Sequence, residues 1–388
     1  MTAAGPDVLV TGATGFVGTA VLRELVGRGM GPRVRVLVRR PVPGWMTDAG
    51  VTTWSGDLTD APGLAGLCTG ITTLVHLASQ VGGDPAVCTA VNEAGTAKLL
   101  AEARRAGTAG VLYLSTCAVY RDGVHRGAMV PGPKGDRGLP AGGNWPGVEG
   151  PRGGAGSVAD PGPSTGRARP AAGHPSGSGA VAVQEPPTGR GRLRGESGSG
   201  LVTDPASPTS RSRLAGERLV LAAGGTVLRP HLVHGTGDRH LVPALVRWIR
   251  AVPAWAADGA ARTSLVAVAD LAAAIAVLAM NPGLGGAGEV LHVADPRPVR
   301  MRRLVTAVCE LLDLPVPVAE LSLAEHRART RAALPSLTDH QYSLLTRDHW
   351  YESDRIWELT GVSPGPGFGP SLAGAAAWYR ESLGIRRP

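Results

Sequence analysis

The chain has 388 residues, a formal net charge of +8 and 43% hydrophobic residues, a size and composition sufficient for a substantial buried core. Four separated cysteines without a CxxC pair, and the lack of an apolar run of 18 residues, argue against a disulfide framework, a metal site and a membrane span. Arginine outnumbers lysine 37 to 2 without a helix-turn-helix signal or interleaved aromatic residues, so the positive charge does not predict nucleic-acid binding.

Short apolar runs alternate with helical patterns along most of the chain. The predicted strands are 7–11, 34–38, 51–54, 73–77, 111–115 and 226–229, and the predicted helices are 19–28, 90–106, 211–223, 241–250 and 269–281. This alternation predicts an α/β fold, a Rossmann-type doubly wound parallel sheet with a small C-terminal substrate lobe. The first strand begins within seven residues of the N-terminus and leaves no room for a signal peptide, so we expect a cytoplasmic protein without a membrane partner.

The first strand runs into three glycines spaced three apart, Gly12, Gly15 and Gly18. Gly12 permits a sharp turn, Gly15 lets the backbone approach a pyrophosphate, and Gly18 lets the following helix pack on the strand. Phosphates would lie at the helix N-terminus, where free N–H groups favour negative charge. The segment predicts a dinucleotide-binding turn, and the alternative is a merely structural βαβ turn. The predicted cofactor contacts here are Gly12, Thr14, Gly15, Phe16, Val17 and Gly18.

The second predicted strand ends in two arginines, where NAD-specific sites of this fold carry a carboxylate for the ribose 2′-hydroxyl. Arg39 and Arg40 follow Val34–Val38 directly. Two guanidiniums can form charge-assisted hydrogen bonds with a 2′-phosphate, so the sequence favours NADP(H) over NAD(H). In the alternative, Arg39 stacks on the adenine and Arg40 faces solvent.

The segment 121–204 departs from the alternating pattern. Residues 121–200 contain 22 Gly and 11 Pro, and Trp145 is their one aromatic residue. Such a composition cannot bury enough apolar surface to offset the entropy of ordering the chain, so we expect a disordered insertion. Two alternatives stay open, a flexible lid over the substrate site and a stretch translated from a shifted reading frame.

The motifs on either side of this segment resemble, in kind and in order, the extended branch of the short-chain dehydrogenase/reductase superfamily, the NAD-dependent epimerase/dehydratase family. The three glycines have the GxxGxxG spacing of that superfamily. The other landmarks are Gly56–Leu58, Leu74–Ala78, Val91–Thr96, Leu114–Tyr120 and Leu228–Pro230. The resemblance covers about residues 5–120 and 205–385.

The resemblance and the composition together predict four segments. Residues 1–120 form the N-terminal part of the NAD(P)-binding Rossmann domain, 121–204 form the insertion, and 205–235 complete the domain. Residues 236–388 form mainly a substrate-binding lobe, from which some elements return to the Rossmann domain.

The resemblance also implies cofactor contacts outside the glycine turn. Asp57 and Leu58 match the pair that meets the adenine ring, although Asp57 is alternatively an ordinary loop residue that caps a turn. The remaining implied contacts follow the fourth and sixth strands, and they are Leu77, Ala78, Arg229, Pro230 and His231.

The family places a Ser or Thr four residues before a Tyr at the end of the fifth strand. Thr116 and Tyr120 match this feature. The resemblance implies that the Thr116 hydroxyl bonds the substrate carbonyl as it gains negative charge, and that Tyr120 contacts the substrate. In the alternative, Thr116 is a strand-end residue satisfied by the backbone.

The family also carries a Tyr-x-x-x-Lys pair on a later helix, and here the chain departs from it. Thr209 occupies the tyrosine position and Arg213 the lysine position. An aliphatic hydroxyl does not titrate in the useful range and arginine stays protonated, so neither is a general acid. Loss of a positioned general acid typically costs about 10²–10⁴ in rate. Arg213 can still bond ribose hydroxyls and hold positive charge near the carbonyl.

Within the family, the segment Arg229–Asp238 is similar to actinomycete dTDP-4-keto-6-deoxyhexose 4-ketoreductases of antibiotic biosynthesis. The resemblance implies NADPH-dependent reduction of a nucleotide-sugar ketone, with Arg262 on the nucleotide diphosphate, and it is compatible with a homodimer. Reduction requires no strong base, whereas epimerisation and dehydration begin by oxidising the sugar. Two alternatives stay open, a nucleotide-sugar epimerase and a non-catalytic NADP-binding homologue.

The proton donor for a reduction is open at this stage. A water could deliver the proton through Thr116 or Thr209, or the donor could be Tyr120, His231 or His234. For each histidine the alternative is a neutral ring satisfied by backbone groups.

Overall fold

The computed structural model describes residues 5–128 and 201–385. Its strands are β1 (Val8–Thr11), β2 (Val34–Val38), β3 (Thr52–Ser55), β4 (Thr73–His76), β5 (Gly110–Leu114), β6 (His125–Ala128), β7 (Thr226–Pro230), β8 (Leu232–His234), β9 (Ala254–Ala256), β10 (Arg262–Thr263), β11 (Leu265–Ala267), β12 (Val290–Val293), β13 (Val299–Arg300), β14 (Ala319–Leu321) and β15 (His349–Tyr351). Its α-helices are α1 (Phe16–Gly27), α2 (Gly44–Asp48), α3 (Pro85–Thr89), α4 (Thr96–Ala106), α5 (Pro208–Ala222), α6 (Leu241–Ala251), α7 (Val268–Met280), α8 (Met301–Leu311), α9 (Leu323–Ala333), α10 (Asp339–Thr346), α11 (Asp354–Thr360), α12 (Phe368–Gly374) and α13 (Ala376–Ser382).

Seven strands form one parallel sheet with the order β12-β7-β5-β4-β1-β2-β3. The strand order reverses between β1 and β4, which are paired in register from Val8↔Thr73 to Thr11↔His76. In open α/β sheets, ligands bind in the crevice beyond the carboxyl ends of the strands at such a reversal. The predicted Rossmann-type doubly wound fold is confirmed.

Two apolar cores lie on opposite faces of this sheet. Val8 and Val10 of β1 belong to the core shared with α1 and α7, while Leu9 between them belongs to the core under α4. Successive strand residues point to opposite faces, so a continuous apolar strand is buried on both sides. Each of the three residues is at most 2% exposed.

A π-helical turn, Ala90–Gly95, joins α3 to α4. The sequence pattern predicted this helix from residue 90, but α3 begins five residues earlier, at Pro85. The earlier start has a local cause, because the Asp84 carboxylate caps α3 by accepting from the Ala86 N–H at 2.8 Å.

The residues after 235 contribute to the core beside α1 and also form a separate core of their own. β12 forms the edge of the seven-stranded sheet and α7 packs against α1. The other late helices, α6, α8, α12 and α13, enclose a separate apolar core that contains Trp248, Leu304 and Tyr379. These helices belong to the same compact unit as the seven-stranded sheet.

A second sheet has the order β13-β10-β15-β6, and one of its strands was not expected from the sequence. Its strand β6, His125–Ala128, lies inside the stretch expected to be irregular. It pairs with β15, which lies more than 200 residues later in the chain, so the local sequence did not predict this strand. Of the expected insertion 121–204, residues 129–200 lie outside the described residues, and 121–128 and 201–204 lie within them. Within 5–128 and 201–385, no helix has the length and apolar character needed to cross a membrane.

Candidate functional site

The turn between β1 and α1 has the geometry that the glycine spacing predicts. Gly12 has φ +71°, and a Cβ there would lie 2.6 Å from the Ala78 backbone nitrogen. A Cβ on Gly18 would lie 2.0 Å from the Gly12 carbonyl oxygen. Only glycine fits either position, because both contacts are far inside van der Waals distance.

The same turn fits a bound pyrophosphate. Within the described residues, and apart from its two chain neighbours, only the Gly12 oxygen lies within 4 Å of a Cβ built on Gly15, at 3.2 Å, so Gly15 leaves its other side open for a close ligand. Thr14 and Gly15 are exposed, and Phe16 and Val17 are half-buried. Gly15 caps α1 without a side-chain bond, which leaves the first-turn N–H groups available to an anion.

The two arginines that predict the cofactor preference lie on the exposed rim beside β2. Arg39 is 74% exposed at its side chain, and its Nη1 lies 3.6 Å from the Asp57 carboxylate. Asp57 accepts from the backbone N–H and the hydroxyl of Thr59, and with Arg39 these bonds lower the pKa of the carboxyl. Arg40 is exposed, whereas Leu58 is buried. The hydrogen bonds of Asp57 in this structure are therefore those of a turn-capping residue, which is the alternative given for it above.

A buried polar chain fixes the floor of the cleft where β1 meets β4. The His76 Nδ1 lies 2.7 Å from Thr11 Oγ1, and its Nε2 lies 2.9 Å from Thr96 Oγ1. Burial lowers the pKa of His76 to about 3, so the ring is neutral at physiological pH. Thr11 Oγ1 also accepts from the Ala78 N–H at 3.2 Å, which positions Leu77 and Ala78 beside the glycine turn.

Asn92 joins the loop after β4 to α5. Its Oδ1 accepts from the Gln80 N–H at 2.7 Å, and its Nδ2 donates to the Gln80 carbonyl at 3.0 Å and to Ser212 Oγ at 2.9 Å. The sequence marked Asn92 only as a landmark, because its partners lie 12 and 120 residues away. A signal in the sequence was available, since Asn92 is a polar residue at helical spacing from the apolar Leu99 and Leu100. A polar side chain on a buried helix face needs hydrogen-bond partners.

Thr116 follows β5 by two residues and its hydroxyl is oriented by a short-range bond. The side chain accepts from the Ala118 N–H at 3.1 Å, as the cap of the 3-10 turn Cys117–Val119. An oxygen that accepts this bond keeps its own hydrogen for a second acceptor. Thr116 is half-buried, so that second acceptor can be a ligand.

Thr209 lies in the first turn of α5 and contacts the loop after β4. Its hydroxyl accepts from the Gly82 N–H at 3.0 Å and lies 3.6 Å from Cys88 Sγ. A tyrosine ring at this position would extend well past Gly82, whereas the short threonine side chain ends there. The hydroxyl therefore stabilises the loop in this structure.

Arg213 reaches from α5 to the carboxyl end of β5. Its Nη2 donates to the Leu114 carbonyl at 2.8 Å and to the Ser115 carbonyl at 2.9 Å, immediately before Thr116. Its Nε is buried without a hydrogen-bond partner, and burial lowers the pKa of the guanidinium. Among the described residues, no hydrogen bond joins the side chains of Thr116, Thr209 and Arg213 directly.

Tyr120 and Arg229, which the resemblance assigned to substrate and cofactor, are interior residues. Tyr120 is 2% exposed, and its hydroxyl lies 2.6 Å from His292 Nε2 and accepts from Arg229 Nη1 at 2.7 Å. Arg229 is 6% exposed and forms a two-point ion pair with Glu217. These partners come from α5, β7 and β12, so local sequence could not reveal them. The structure does not bring Tyr120 or Arg229 to the cleft surface.

The two histidines considered as proton donors are both buried beside other titratable groups. His231 packs against Tyr351 and His349 at ring distances of 5.3 and 6.0 Å, and its Nε2 is buried without a partner. Burial lowers the pKa of His231 well below its usual range, and the pKa of His234 to about 4. Both rings are therefore neutral at pH 7, but His231 Nε2 and His234 Nδ1 lack, among the described residues, the backbone partner that the alternative included. Pro230, next to His231, is buried.

Arg262 lies on β10 of the second sheet, directly opposite Arg300 of β13. Its backbone N–H donates to Asp348 Oδ1 at 2.8 Å, while its side chain is exposed. No group of three or more His, Cys, Asp or Glu residues in the described segments has the arrangement of a metal site.

Comparisons with known proteins bear on the family and the fold. Residues 8–134 match the model of the NAD dependent epimerase/dehydratase family. The "Sterol demethylase protein B" of Methylococcus capsulatus is 38% identical over 112 residues, which are 28% of this chain and 34% of that protein. The chain thus matches about a third of the length of this curated relative.

Solved structures are similar over nearly the whole chain. MoeE5 in complex with UDP-glucose and NAD has a TM-score of 0.59 and 22% identity, with 97% of this chain and 99% of that chain covered. DesIV, a dTDP-glucose 4,6-dehydratase from Streptomyces venezuelae with NAD and TYD bound, has a TM-score of 0.62 and 19% identity, with 97% and 98% covered. At these identities, the likeness establishes the shared fold.

Proposed function

We propose that this chain is a nucleotide-sugar oxidoreductase that binds NADP(H) at the β1–α1 turn and reduces the 4-keto group of a dTDP-4-keto-6-deoxyhexose. Bound reduced nicotinamide supplies the hydride for such a reduction. The residues that would hold the cofactor are those of the glycine turn, with Arg39 and Arg40 near the ribose. The family match of residues 8–134 and the fold shared with nucleotide-sugar-bound structures support the class of enzyme.

The orientation of the Thr116 hydroxyl is the observation that carries the proposal. Its oxygen is bonded to the Ala118 N–H, so its hydrogen points elsewhere and can be donated to a substrate carbonyl. A donor aimed at an oxygen that gains negative charge stabilises the transition state. The hydroxyl lies beyond the carboxyl end of β5, at the same edge of the sheet as the glycine turn.

The chemistry of the two altered positions, Thr209 and Arg213, supports reduction over epimerisation and dehydration. Epimerisation and dehydration begin with removal of a hydroxyl proton from the sugar, which requires a base of suitable pKa. Thr209 bonds the Gly82 N–H, and Arg213 carries a permanent positive charge, so neither can take that proton. Reduction requires hydride delivery, a polarised carbonyl and a proton that water can supply.

A second candidate is a non-catalytic NADP-binding protein. The observation in its favour is that both altered positions already have protein partners. Thr209 contacts the loop after β4, and Arg213 contacts the end of β5. In this candidate the two side chains stabilise the cleft and the bound nucleotide reports cofactor level to a partner.

Incubation of the protein with NADPH and a dTDP-4-keto-6-deoxyhexose separates these functions. A reductase lowers the absorbance of reduced nicotinamide with a matching yield of reduced sugar. A binder leaves the absorbance flat while quenching or enhancing NADPH fluorescence, and an epimerase changes sugar configuration without net use of the cofactor. Thr116→Val, which keeps the side-chain volume, serves as the matched variant and is expected to lose turnover but not NADPH binding.

A further inference from the structure

The interior between α5, β5 and β7 contains more positive than negative charge. Two guanidiniums, those of Arg213 and Arg229, lie near one carboxylate, that of Glu217. Glu217 is 1% exposed, and both of its oxygens are bonded to Arg229. Arg213 has no carboxylate within ion-pair distance in the described part of the chain, so one positive charge is in excess there.

The neighbouring titratable groups do not offset this charge. His76 next to Arg213 is neutral, since burial lowers its pKa to about 3. Burial raises the pKa of Tyr113 to about 12, and it also raises the pKa values of Tyr120 and Cys117, so all three stay protonated. At physiological pH the region carries a net positive charge with no described counter-ion.

The hydrogen bonds of Arg213 engage only part of its guanidinium. Nη2 bonds two backbone carbonyls, while Nε is buried without a partner. Nη1 lies within ion-pair distance of no carboxylate in the described residues, the Tyr113 hydroxyl is a further polar neighbour of the guanidinium, and Arg213 as a whole is half-buried. A buried charge without a partner is strongly unfavourable, and proteins keep one where a ligand completes the pair.

We propose that Arg213 is the counter-ion of an anionic oxygen that the bound substrate presents beside Thr116. This inference rests on the proposed function, since it names the charge of the group that enters the same cleft. Two sources share this chemistry, a permanent carboxylate on the sugar ring and the transient alkoxide of a ketone during reduction. The carboxylate brings its negative charge with the ligand, whereas the ketone arrives neutral and its oxygen becomes an alkoxide only when the hydride of the reduced nicotinamide is transferred to the carbonyl carbon.

The proposal makes an unusual prediction for the stability of the ligand-free protein. Arg213→Met removes the unpaired charge while keeping most of the side-chain volume, so we expect the Tm to rise by about 2–4 °C. A purely structural role predicts a lower Tm, because two hydrogen bonds to carbonyls are lost. Arg213→Lys keeps the charge and is expected to show no gain in Tm, and Arg218→Met, at an exposed position later in the same helix, is the surface control.

Equilibrium binding identifies the source of the anion. In the presence of saturating NADP+, the wild-type protein is titrated with UDP-glucuronate and UDP-glucose, which differ by one carboxylate. A carboxylate source gives at least about tenfold tighter binding of UDP-glucuronate, and Arg213→Met abolishes that ratio. An alkoxide source gives equal affinities, and Arg213→Met then lowers the kcat for a dTDP-4-keto-6-deoxyhexose about tenfold or more at unchanged KM.

A rise in Tm together with either binding or kinetic effect supports the counter-ion role. A fall in the Tm of Arg213→Met overturns it, as does a variant that changes neither the affinity ratio nor the kcat. The stability and titration arms need no turnover. A protein that never oxidises NADPH but prefers the carboxylate ligand through Arg213 would therefore refute the reductase function and support the counter-ion.

Discussion

Glu217 on α5 and Arg229 on β7 form a buried two-point ion pair, with Arg229 Nε donating to Glu217 Oε2 at 3.1 Å. The same guanidinium donates to Tyr120, whose hydroxyl meets His292 of β12. This network connects the helix that carries Thr209 and Arg213 to the turn that carries Thr116. The relative position of the three proposed catalytic residues therefore depends on interior contacts that do not touch the cleft.

Glu217→Gln is expected to destabilise the protein by about 3–5 kcal/mol, because it leaves the Arg229 charge buried without its partner. Urea denaturation followed by circular dichroism measures the change in the free energy of unfolding. Glu24→Gln is the matched control, since the Glu24–Arg28 pair is one helical turn apart and 35% exposed at both side chains. Its loss is expected to stay within about 0.5 kcal/mol, and an equal effect of both variants would contradict the role of the buried pair.

Gly18→Ala is expected to distort the glycine turn, since the added Cβ would lie 2.0 Å from the Gly12 oxygen. Overpacking of this kind costs about 1–3 kcal/mol, and displacement of the turn should also weaken NADPH binding, measured by fluorescence titration. Gly27→Ala in the same helix has no atom within 4 Å of its Cβ. Gly27→Ala should leave the free energy of unfolding unchanged or raise it slightly. A loss of NADPH binding in Gly27→Ala would show that any substitution in α1 weakens binding, and the contact at Gly18 would then not be the cause.

Acidification is expected to destabilise the fold between about pH 6.5 and pH 4. Burial lowers the pKa of His234 and of His349 to about 4, whereas in the unfolded chain each ring titrates near 6.5. The unfolded state therefore binds the extra protons as the pH falls, and each histidine removes about 2 kcal/mol of stability by pH 5. Carboxylates with a lowered pKa, such as Asp57, act at lower pH because their unfolded pKa is near 4.

Denaturant titrations at pH 7 and pH 5 measure this loss directly. His349→Gln removes one of the titrating rings, so its stability should fall less steeply between the two pH values than that of the wild type. Equal stability of the wild-type protein at pH 7 and pH 5 would be incompatible with neutral buried histidines.

Arg39→Ala combined with Arg40→Ala is expected to weaken NADPH binding about tenfold and to leave NADH binding nearly unchanged. The reason is that Arg39 forms only an exposed 3.6 Å contact with Asp57, so the guanidinium is free to turn toward a 2′-phosphate. Fluorescence titration with both cofactors gives the ratio of the affinities, and Arg28→Ala, at the C-terminal end of α1, is a surface control that removes one charge. A parallel loss of both affinities would assign the arginines to the adenine instead.

Thr209→Tyr combined with Arg213→Lys would rebuild the general acid of the resembling family. If the chain reduces a sugar ketone with water as proton source, the double variant is expected to raise the kcat up to about 10²-fold. NADPH absorbance with a dTDP-4-keto-6-deoxyhexose measures the change, and Thr209→Tyr alone, which lacks the lysine, is the control. An unchanged kcat in the double variant would mean that the introduced tyrosine ring stays against the loop at Gly82, which Thr209 contacts in this structure, and does not reach the substrate.

The alternation of strands and helices, the glycine turn and its Gly12 and Gly18 constraints were all readable from the sequence. These features are local, because a strand, a tight turn and an amphipathic helix each depend on residues a few positions apart. The substitutions Thr209 and Arg213 were visible for the same reason. They stand at fixed spacing inside a recognisable helical motif.

The tertiary structure alone decided which of these side chains face the cleft. Tyr120 stands at a position expected to meet substrate, yet its hydroxyl is engaged by Arg229 and His292, 109 and 172 residues later in the chain. The excess charge at Arg213 likewise depends on Glu217 being engaged by Arg229 across the sheet. Burial and long-range pairing set the charge and orientation of a side chain, and neither is encoded in the spacing of nearby residues.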